Sequence, residues 1–435
     1  MAVTSDQLTN QAQQGGGVSP NCHGKAALTP VTGRKTEYAF EMAVSNIRYG
    51  ENVTQEIGMD LQNLGARNVC VMTDKNLVEL SPVKAVLNSL VKNNVSFKLY
   101  DRVRVEPTDK SFMDAIEFAK KGQFDAYVGV GGGSVIDTCK AANLYSSSPG
   151  ADFLDYVNPP IGKGKAVTVP LKPLIAVPTT SGTGSETTGI AIFDYEELKA
   201  KTGIASRAIK PTLGLIDPVH TLSMPERVVA NSGFDVLCHS LESYTALPYN
   251  MRSPCPTNPI NRPAYQGSNP ISDVWAKHAL RIVAKYLKRA VRNPDDREAR
   301  FAMHLASSFA GVGFGNAGVH LCSFEVKLNP EQAFSSFLEP TVKALFLHIG
   351  ADIRTAKIKE AGLILADTLR KFLYDLNVDD GLAAVGYTTE DIPALVKGTL
   401  PQLLDTTRRP QGEMIKLHRQ SYKNLQNVST ASPAR

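Results

Sequence analysis

The run Ala126-Tyr127-Val128-Gly129-Val130-Gly131-Gly132-Gly133-Ser134 constrains the fold of this chain more than any other stretch. Residues 126–130 carry no charge and read as a strand buried on both faces. They pass directly into three glycines and a serine, and 134–144 then has helical spacing. A glycine turn of this kind lets a ligand approach the backbone closely. The helix that follows offers unpaired N–H groups and a partial positive charge, which suits a pyrophosphate. Ser134 adds a hydroxyl. The turn is not G-x-G-x-x-G and follows the third predicted strand, not the first, so a plain strand-to-helix turn is the competing reading.

The same alternation surrounds it. Asn68–Met72, Val95–Leu99 and Leu174–Val177 read as further strands, and Pro82–Lys92 and Ser111–Lys121 as helices. Strand–helix–strand repetition with short connections predicts a parallel sheet covered by helices. After about residue 222 the strand signals stop. Pro225–Tyr244, Ile271–Arg292, Asp295–Ala310 and Thr355–Leu376 have helical periodicity, and 248–270 holds six prolines, which excludes a regular element there. The predicted fold class is therefore an α/β N-terminal domain with a parallel sheet, followed by an all-α C-terminal domain. We divide the chain into a leader (1–34), the α/β domain (35–222), the helical domain (223–401) and a tail (402–435).

Composition narrows the function. Hydrophobic residues make up 43% of the 435 and charged residues 20%, an ordinary globular balance. The net charge is +5, and most of the excess lies in the tail. The body has no basic face for a nucleic-acid backbone. No apolar run approaches the roughly 18 residues of a membrane span. Six scattered cysteines with no C-x-x-C pair point to a reducing compartment and mostly buried thiols. Residues 1–33 read as a disordered leader: they have no apolar core, so not a secretory signal, and they are poor in acid like organelle transit peptides but lack their arginines, which makes them a weak transit peptide.

Further site candidates follow from position. Asp74 lies just past the first predicted strand, where an acid can bond ribose hydroxyls and repel a 2′-phosphate; capping the next helix is the alternative. Pro178–Thr188 (PTTSGTGSETT) holds nine Ser, Thr or Gly in eleven residues after a buried strand, which fits a polar ligand loop. Asp235 and His239 are four apart on a predicted helix and share a face. A carboxylate and an imidazole so placed can hold Zn or Fe(II), although a satisfied core histidine is the commoner outcome. Of the other histidines, His278 reads as a core residue, His304, His348 and His418 have no evident partner, and His320 alone follows a Gly-rich approach.

In this order, Gly131-Gly132-Gly133-Ser134 with Asp137, the Pro-Thr-Thr-x-Gly-Thr-Gly-Ser-Glu run from Pro178, and Gly-x-Asp-x-x-x-His at 233–239 resemble the iron-containing (group III) alcohol dehydrogenases. The long matching stretches are 37–58, 206–245 and 349–401. The resemblance implies a dinucleotide-binding α/β domain, a helical domain, and an active site between them, the architecture shared with dehydroquinate synthase. It implies tightly bound NAD(H), with Asp74, Gly132, Gly133, Ser134, Thr179, Thr180, Thr188 and Lys201 at cofactor-contact positions. It implies Fe(II) or Zn, with Asp235 and His239 as the first two ligands. The matching branch of the family is mitochondrial and moves a hydride from a hydroxy acid, such as 4-hydroxybutyrate or 3-hydroxybutyrate, to 2-oxoglutarate, giving 2-hydroxyglutarate. Small hydroxy and oxo acids are the implied partners, and a homo-oligomer is left open.

The chain departs from the family at one place. The family sets a third histidine ligand in a His-Gly-Met run and a fourth in Pro-His-Gly. Here Cys322 is followed by Ser323-Phe324-Glu325, and no Pro-His-Gly occurs. An internal segment is missing, and matching sequence resumes near Gly350. Three functions follow as alternatives: a working transhydrogenase, a nucleotide-binding variant impaired by loss of the metal, and another metal-dependent enzyme on a related fold.

Overall fold

The computed structural model describes residues 35–319, 361–379, 384 and 386–394. The leader, the tail, His320, His348 and His418 lie outside them.

Six strands form one sheet in which every pairing is parallel. They are β1 (Asn46–Tyr49), β2 (Val69–Asp74), β3 (Phe97–Val103), β4 (Ala126–Gly131), β5 (Leu174–Pro178) and β8 (Leu213–Ile216), in the order β1-β8-β5-β4-β2-β3. All six residues of β2 and of β4 are buried, as strands covered on both faces must be. Alternation divides them. Val69, Val71, Val128 and Val130 pack with Ile57, Leu61, Val83, Val86 and Leu90 of α1 (Ile57–Asn63) and α2 (Ser81–Lys92). Cys70, Met72 and Tyr127 face the other way, against Ala115 and Ala119 of α3 (Asp109–Gly122) and Val135, Cys139 and Ala142 of α4 (Gly133–Ser147). Local chemistry sets the helix starts: Pro82 lies in the first turn of α2, and Thr108 and Ser111 cap α3 reciprocally.

Four of the six sheet strands match those read from sequence. β1 and β8 do not announce themselves: each is four residues long, and β1 is an exposed edge. A separate antiparallel hairpin, β6 (Ile190–Tyr195) and β7 (Ala200–Ala205), was not expected either. Ala191, Phe193 and Ile204 on its inner face join Phe112, Leu144 and Tyr145 in a second core over α3 and α4. The predicted strand at 95–99 is shifted to Phe97–Val103.

Beyond β8 the described chain is helical. α5 (Glu226–Thr245), α6 (Pro270–Arg292) and α7 (Arg297–Ala317) pack around Val236, Leu241, Leu280, Val283, Leu287 and Met303. Phe372 and Leu376, on and just after α8 (Ala361–Asp375), complete that core. The proline-rich 248–270 stretch holds only short 3-10 turns, as expected. No described helix is long and apolar enough to cross a membrane.

Candidate nucleotide and metal site

The sheet order reverses between β2 and β4, so the crevice beyond their C-terminal ends is where a doubly wound sheet takes its ligand. β2 ends at Asp74, β4 at Gly131 and β5 at Pro178, and Gly131 pairs directly with Pro178. Register thus sets Asp74, the glycine turn and the Ser/Thr loop side by side on one sheet edge.

Gly132 is the N-cap of α4 and supplies no side-chain cap, and Gly132, Gly133 and Ser134 are only partly covered. The first amides of α4 therefore face the crevice without a capping side chain, a fit for an anionic group. Both glycines leave little room for a side chain, Gly133 least. A Cβ on Gly132 would stand 3.2 Å from the Thr180 methyl, and one on Gly133 would stand 2.6 Å from the Thr183 methyl. Thr179 N donates to the Gly131 carbonyl at 3.1 Å, tying the loop to the turn. Thr180 is partly exposed above Gly132. Thr188, at the far end of the loop, is buried.

Asp74 is 6% exposed, and its Oδ1 accepts from the Asn76 and Leu77 amides at 2.7 and 3.2 Å. It therefore caps its own turn rather than the next helix, which begins only at Ser81. Lys201 reaches the same neighbourhood from β7. Its ammonium pairs with the Glu106 carboxylate, and the Glu106 amide donates to Ser134 Oγ at 3.2 Å. Lys201 also lines a cavity of about 930 Å³, opposite Tyr265 and Ala317–Val319 at the end of α7. Glu106 was not singled out from sequence, and its φ of 56° is the only local sign of a constrained position.

Asp235 and His239 meet as the helix spacing requires: His239 Nε2 lies 3.4 Å from Asp235 Oδ1. The ring stacks on Phe314 of α7 with centroids 4.1 Å apart, and its buried Nδ1 has no partner. One carboxylate oxygen and one imidazole nitrogen suit a divalent Fe or Zn. Two donors fall short of the three that a catalytic zinc site takes from protein, and no group of three or more candidate donors occurs among the described residues.

Two sequence readings need correction. His278 is not a core residue: it is exposed on α6, with its ring 5.2 Å from that of Phe309. His304 does have a partner. It is 1% exposed, and its Nδ1 lies 3.2 Å from Ser181 Oγ in the Pro178–Thr188 loop. Burial drives its pKa down to about 3, so it is neutral. Two neighbours repeat this tether from α7. Gly184 N donates to Ser307 Oγ at 3.2 Å, and Ser308 Oγ donates to Glu186 at 2.6 Å. Their spacing at 304, 307 and 308 is one face of a helix, a signal that becomes readable only once the loop is known to lie there.

The chain matches the family model described as iron-containing alcohol dehydrogenase over residues 45–218, and that family's C-terminal model over 264–326. It belongs to the iron-containing alcohol dehydrogenases and is an oxidoreductase with a nicotinamide-type cofactor and a metal as family attributes. It is 81% identical to the mitochondrial hydroxyacid-oxoacid transhydrogenase of Xenopus tropicalis, across 94% of this chain and 96% of that protein. It is 70% identical to the Homo sapiens protein of the same name, across 86% and 87%. The fold is similar to sulfoacetaldehyde reductase from Bifidobacterium kashiwanohense in complex with NAD+, with a TM-score of 0.65 and 24% identity over 88% of this chain and 98% of that one. The Xenopus tropicalis alignment runs over 445 positions yet takes in 94% of 435 residues here, so about three dozen of its positions have no counterpart in this chain. The C-terminal family match stops at 326, just past Ser323-Phe324-Glu325.

Proposed function

We propose that this chain is a mitochondrial hydroxyacid–oxoacid transhydrogenase. In this reading it oxidises a hydroxy acid such as 4-hydroxybutyrate or 3-hydroxybutyrate and reduces 2-oxoglutarate to 2-hydroxyglutarate. The observation that carries the reading is the 81% identity to the Xenopus tropicalis protein across nearly the full length of both. The crevice supports it. The bare N-terminus of α4 receives the pyrophosphate, Asp74 receives the adenosine ribose, and Thr180, Thr188 and Lys201 hold the remainder of NAD(H).

The two half-reactions balance without an outside oxidant. A bound nicotinamide would supply hydride transfer from the hydroxy acid, which would lose its hydroxyl proton and become an oxo or aldehyde acid, to the keto carbon of 2-oxoglutarate, whose oxygen would take a proton. With NAD(H) retained between the halves, both acids would use one site in turn. Asp235 Oδ1 and His239 Nε2 are the donors the described chain offers to Fe(II) or Zn, which when bound polarises the reacting oxygen. Phe314 stacks on the His239 ring, and Nε2 is the nitrogen that lies 3.4 Å from Asp235 Oδ1.

The test is coupled turnover of the purified chain with 4-hydroxybutyrate and 2-oxoglutarate and no added nucleotide. Appearance of 2-hydroxyglutarate supports the reading. A second reading is favoured by the alignment gap and the two-donor pair: a nucleotide-binding chain with impaired turnover. Bound NAD(H) with no product, with or without added Fe(II) or Zn, selects it.

A further inference from the structure

Lys140 is completely buried on α4, three residues from Asp137, and sits among four acceptors. Its Nζ lies 2.7 Å from Ser185 Oγ and from the Ile190 carbonyl, 3.2 Å from Thr188 Oγ1 and 3.3 Å from Asp137 Oδ1, four acceptors that share its three protons. Ser185 in turn donates to Asp137 Oδ1, and the other oxygen of Asp137 accepts from Ile192 N at 2.9 Å. The cluster staples α4, which opens on the glycine turn, to the end of the Pro178–Thr188 loop and the start of β6.

The direction of each hydrogen bond follows from the donor. An ammonium has three protons and no lone pair, whereas a hydroxyl has one proton and two lone pairs. Each hydroxyl touching Lys140 must therefore turn a lone pair to it and send its own proton elsewhere. Ser185 sends its proton to Asp137. Thr188 has no such outlet: it is 3% exposed, and no acceptor among the described residues takes its hydroxyl proton. Its methyl is committed to the opposite side, where a Cβ on Gly315 of α7 would stand 3.2 Å away. Burial pushes the Lys140 pKa down, while Asp137 and the buried Glu186 both attract its charged form; an apolar side chain of the same length fills such a space more cheaply. The cation does something for the site that a methionine would not.

We propose that Lys140 is a positioning residue which makes Thr188 a hydrogen-bond donor to an acceptor oxygen of the bound nucleotide. The inference rests on the nucleotide reading above and adds the polarity of one contact. The acceptor is an oxygen of the phosphate–ribose portion or of the nicotinamide carboxamide.

The experiment measures NAD+ and ADP-ribose affinity by calorimetry, with melting temperature as a fold control. Thr188→Val keeps the shape and removes the proton; it weakens NAD+ by about 5- to 15-fold, the worth of one hydrogen bond. Thr188→Ser keeps the donor and stays within about twofold of the parent. An equal loss for ADP-ribose locates the acceptor on the phosphate–ribose portion, and a loss for NAD+ alone locates it on the carboxamide. The pair Asp137→Asn/Lys140→Met removes both buried charges together. It weakens NAD+ in the parent background and adds little on top of Thr188→Val. Thr188→Val binding NAD+ as tightly as the parent overturns the proposal, as do fully additive losses in the combined variant. A parent chain with no affinity for NAD+ overturns the nucleotide reading and this inference with it.

Discussion

Gly184 and Gly311 stand backbone to backbone. A Cβ on Gly184 would lie 2.8 Å from Gly311 Cα, and one on Gly311 would lie 2.7 Å from the Gly184 carbonyl oxygen. Gly184 also has a φ of +59°, which L side chains seldom adopt. This is where α7 of the helical half meets the loop that carries Thr179, Thr180 and Thr188. His304, Ser307 and Ser308 hold the two together one to two turns away, so the contact cannot open to admit a side chain.

Gly311→Ala will therefore cost stability and nucleotide affinity together. Its methyl would lie 2.2 Å from Thr187 Oγ1 as well as against Gly184. Overpacking of this kind costs about 1–3 kcal/mol. Urea denaturation should show the lower midpoint, and NAD+ titration the weaker binding. A midpoint equal to the parent's would mean that the two backbones do not touch at this point.

Gly133→Val acts on the subsite proposed for the pyrophosphate. The new side chain starts 2.6 Å from the Thr183 methyl and has only the crevice to turn into. NAD+ and NADP+ should both bind at least about tenfold more weakly, since the backbone can no longer approach the phosphates. Unchanged affinity for both would remove the glycine turn from the site.

At Asp74, two substitutions separate charge from capping. Asp74→Asn retains an oxygen for the Asn76 and Leu77 amides, whereas Asp74→Ala loses it. The parent should prefer NAD+ to NADP+, and Asp74→Asn should narrow that preference by relieving repulsion of the 2′-phosphate. Asp74→Ala should narrow it equally and lower the melting temperature as well. Equal affinities of the parent for the two dinucleotides would deny Asp74 this role.

For the metal, the expectation is weak retention. Elemental analysis after dialysis should find less Fe or Zn than in a relative that lacks the gap, and less again in Asp235→Ala and in His239→Ala. Metal kept at full stoichiometry in both variants would place its site elsewhere.

His304 predicts an acid limb of stability. Its folded pKa of about 3 lies below the ordinary 6.5, so the unfolded chain binds a proton between those values and the folded chain does not. Stability from this group is complete above about pH 6.5 and is lost as pH falls toward 3, by at most about 1.4 kcal/mol per unit. His304→Gln, which cannot take up that proton, should flatten the difference between urea midpoints at pH 7.5 and pH 5. A variant with the parent's full pH dependence would assign the limb to other groups.

The legible parts of this molecule were those whose cause is local. β4 and β5 are uncharged runs, and β2 is uncharged up to its last residue, Asp74, as burial on both faces favours. The glycine turn showed itself as three consecutive glycines and a serine after an uncharged strand. Asp235 and His239 could be paired in advance because four residues on a helix return to one face. By contrast, β1, β8 and the β6–β7 hairpin are short and take their stability from partners distant in sequence, such as Phe112 and Tyr145 beneath Phe193.

By itself, then, the sequence determined the parallel sheet, the switch to helices near residue 222 and the sites of the glycine turn, the hydroxyl-rich loop and the Asp–His pair. Each follows from periodicity or from the steric needs of one turn. Tertiary structure alone decided that His304 is buried against Ser181, that His278 faces solvent, and that Lys140 reaches across to Ser185, Thr188 and Ile190. Those outcomes depend on which segments 45 to 123 residues apart are brought within hydrogen-bond reach. A histidine or lysine carries no mark of its burial until packing has chosen its neighbours.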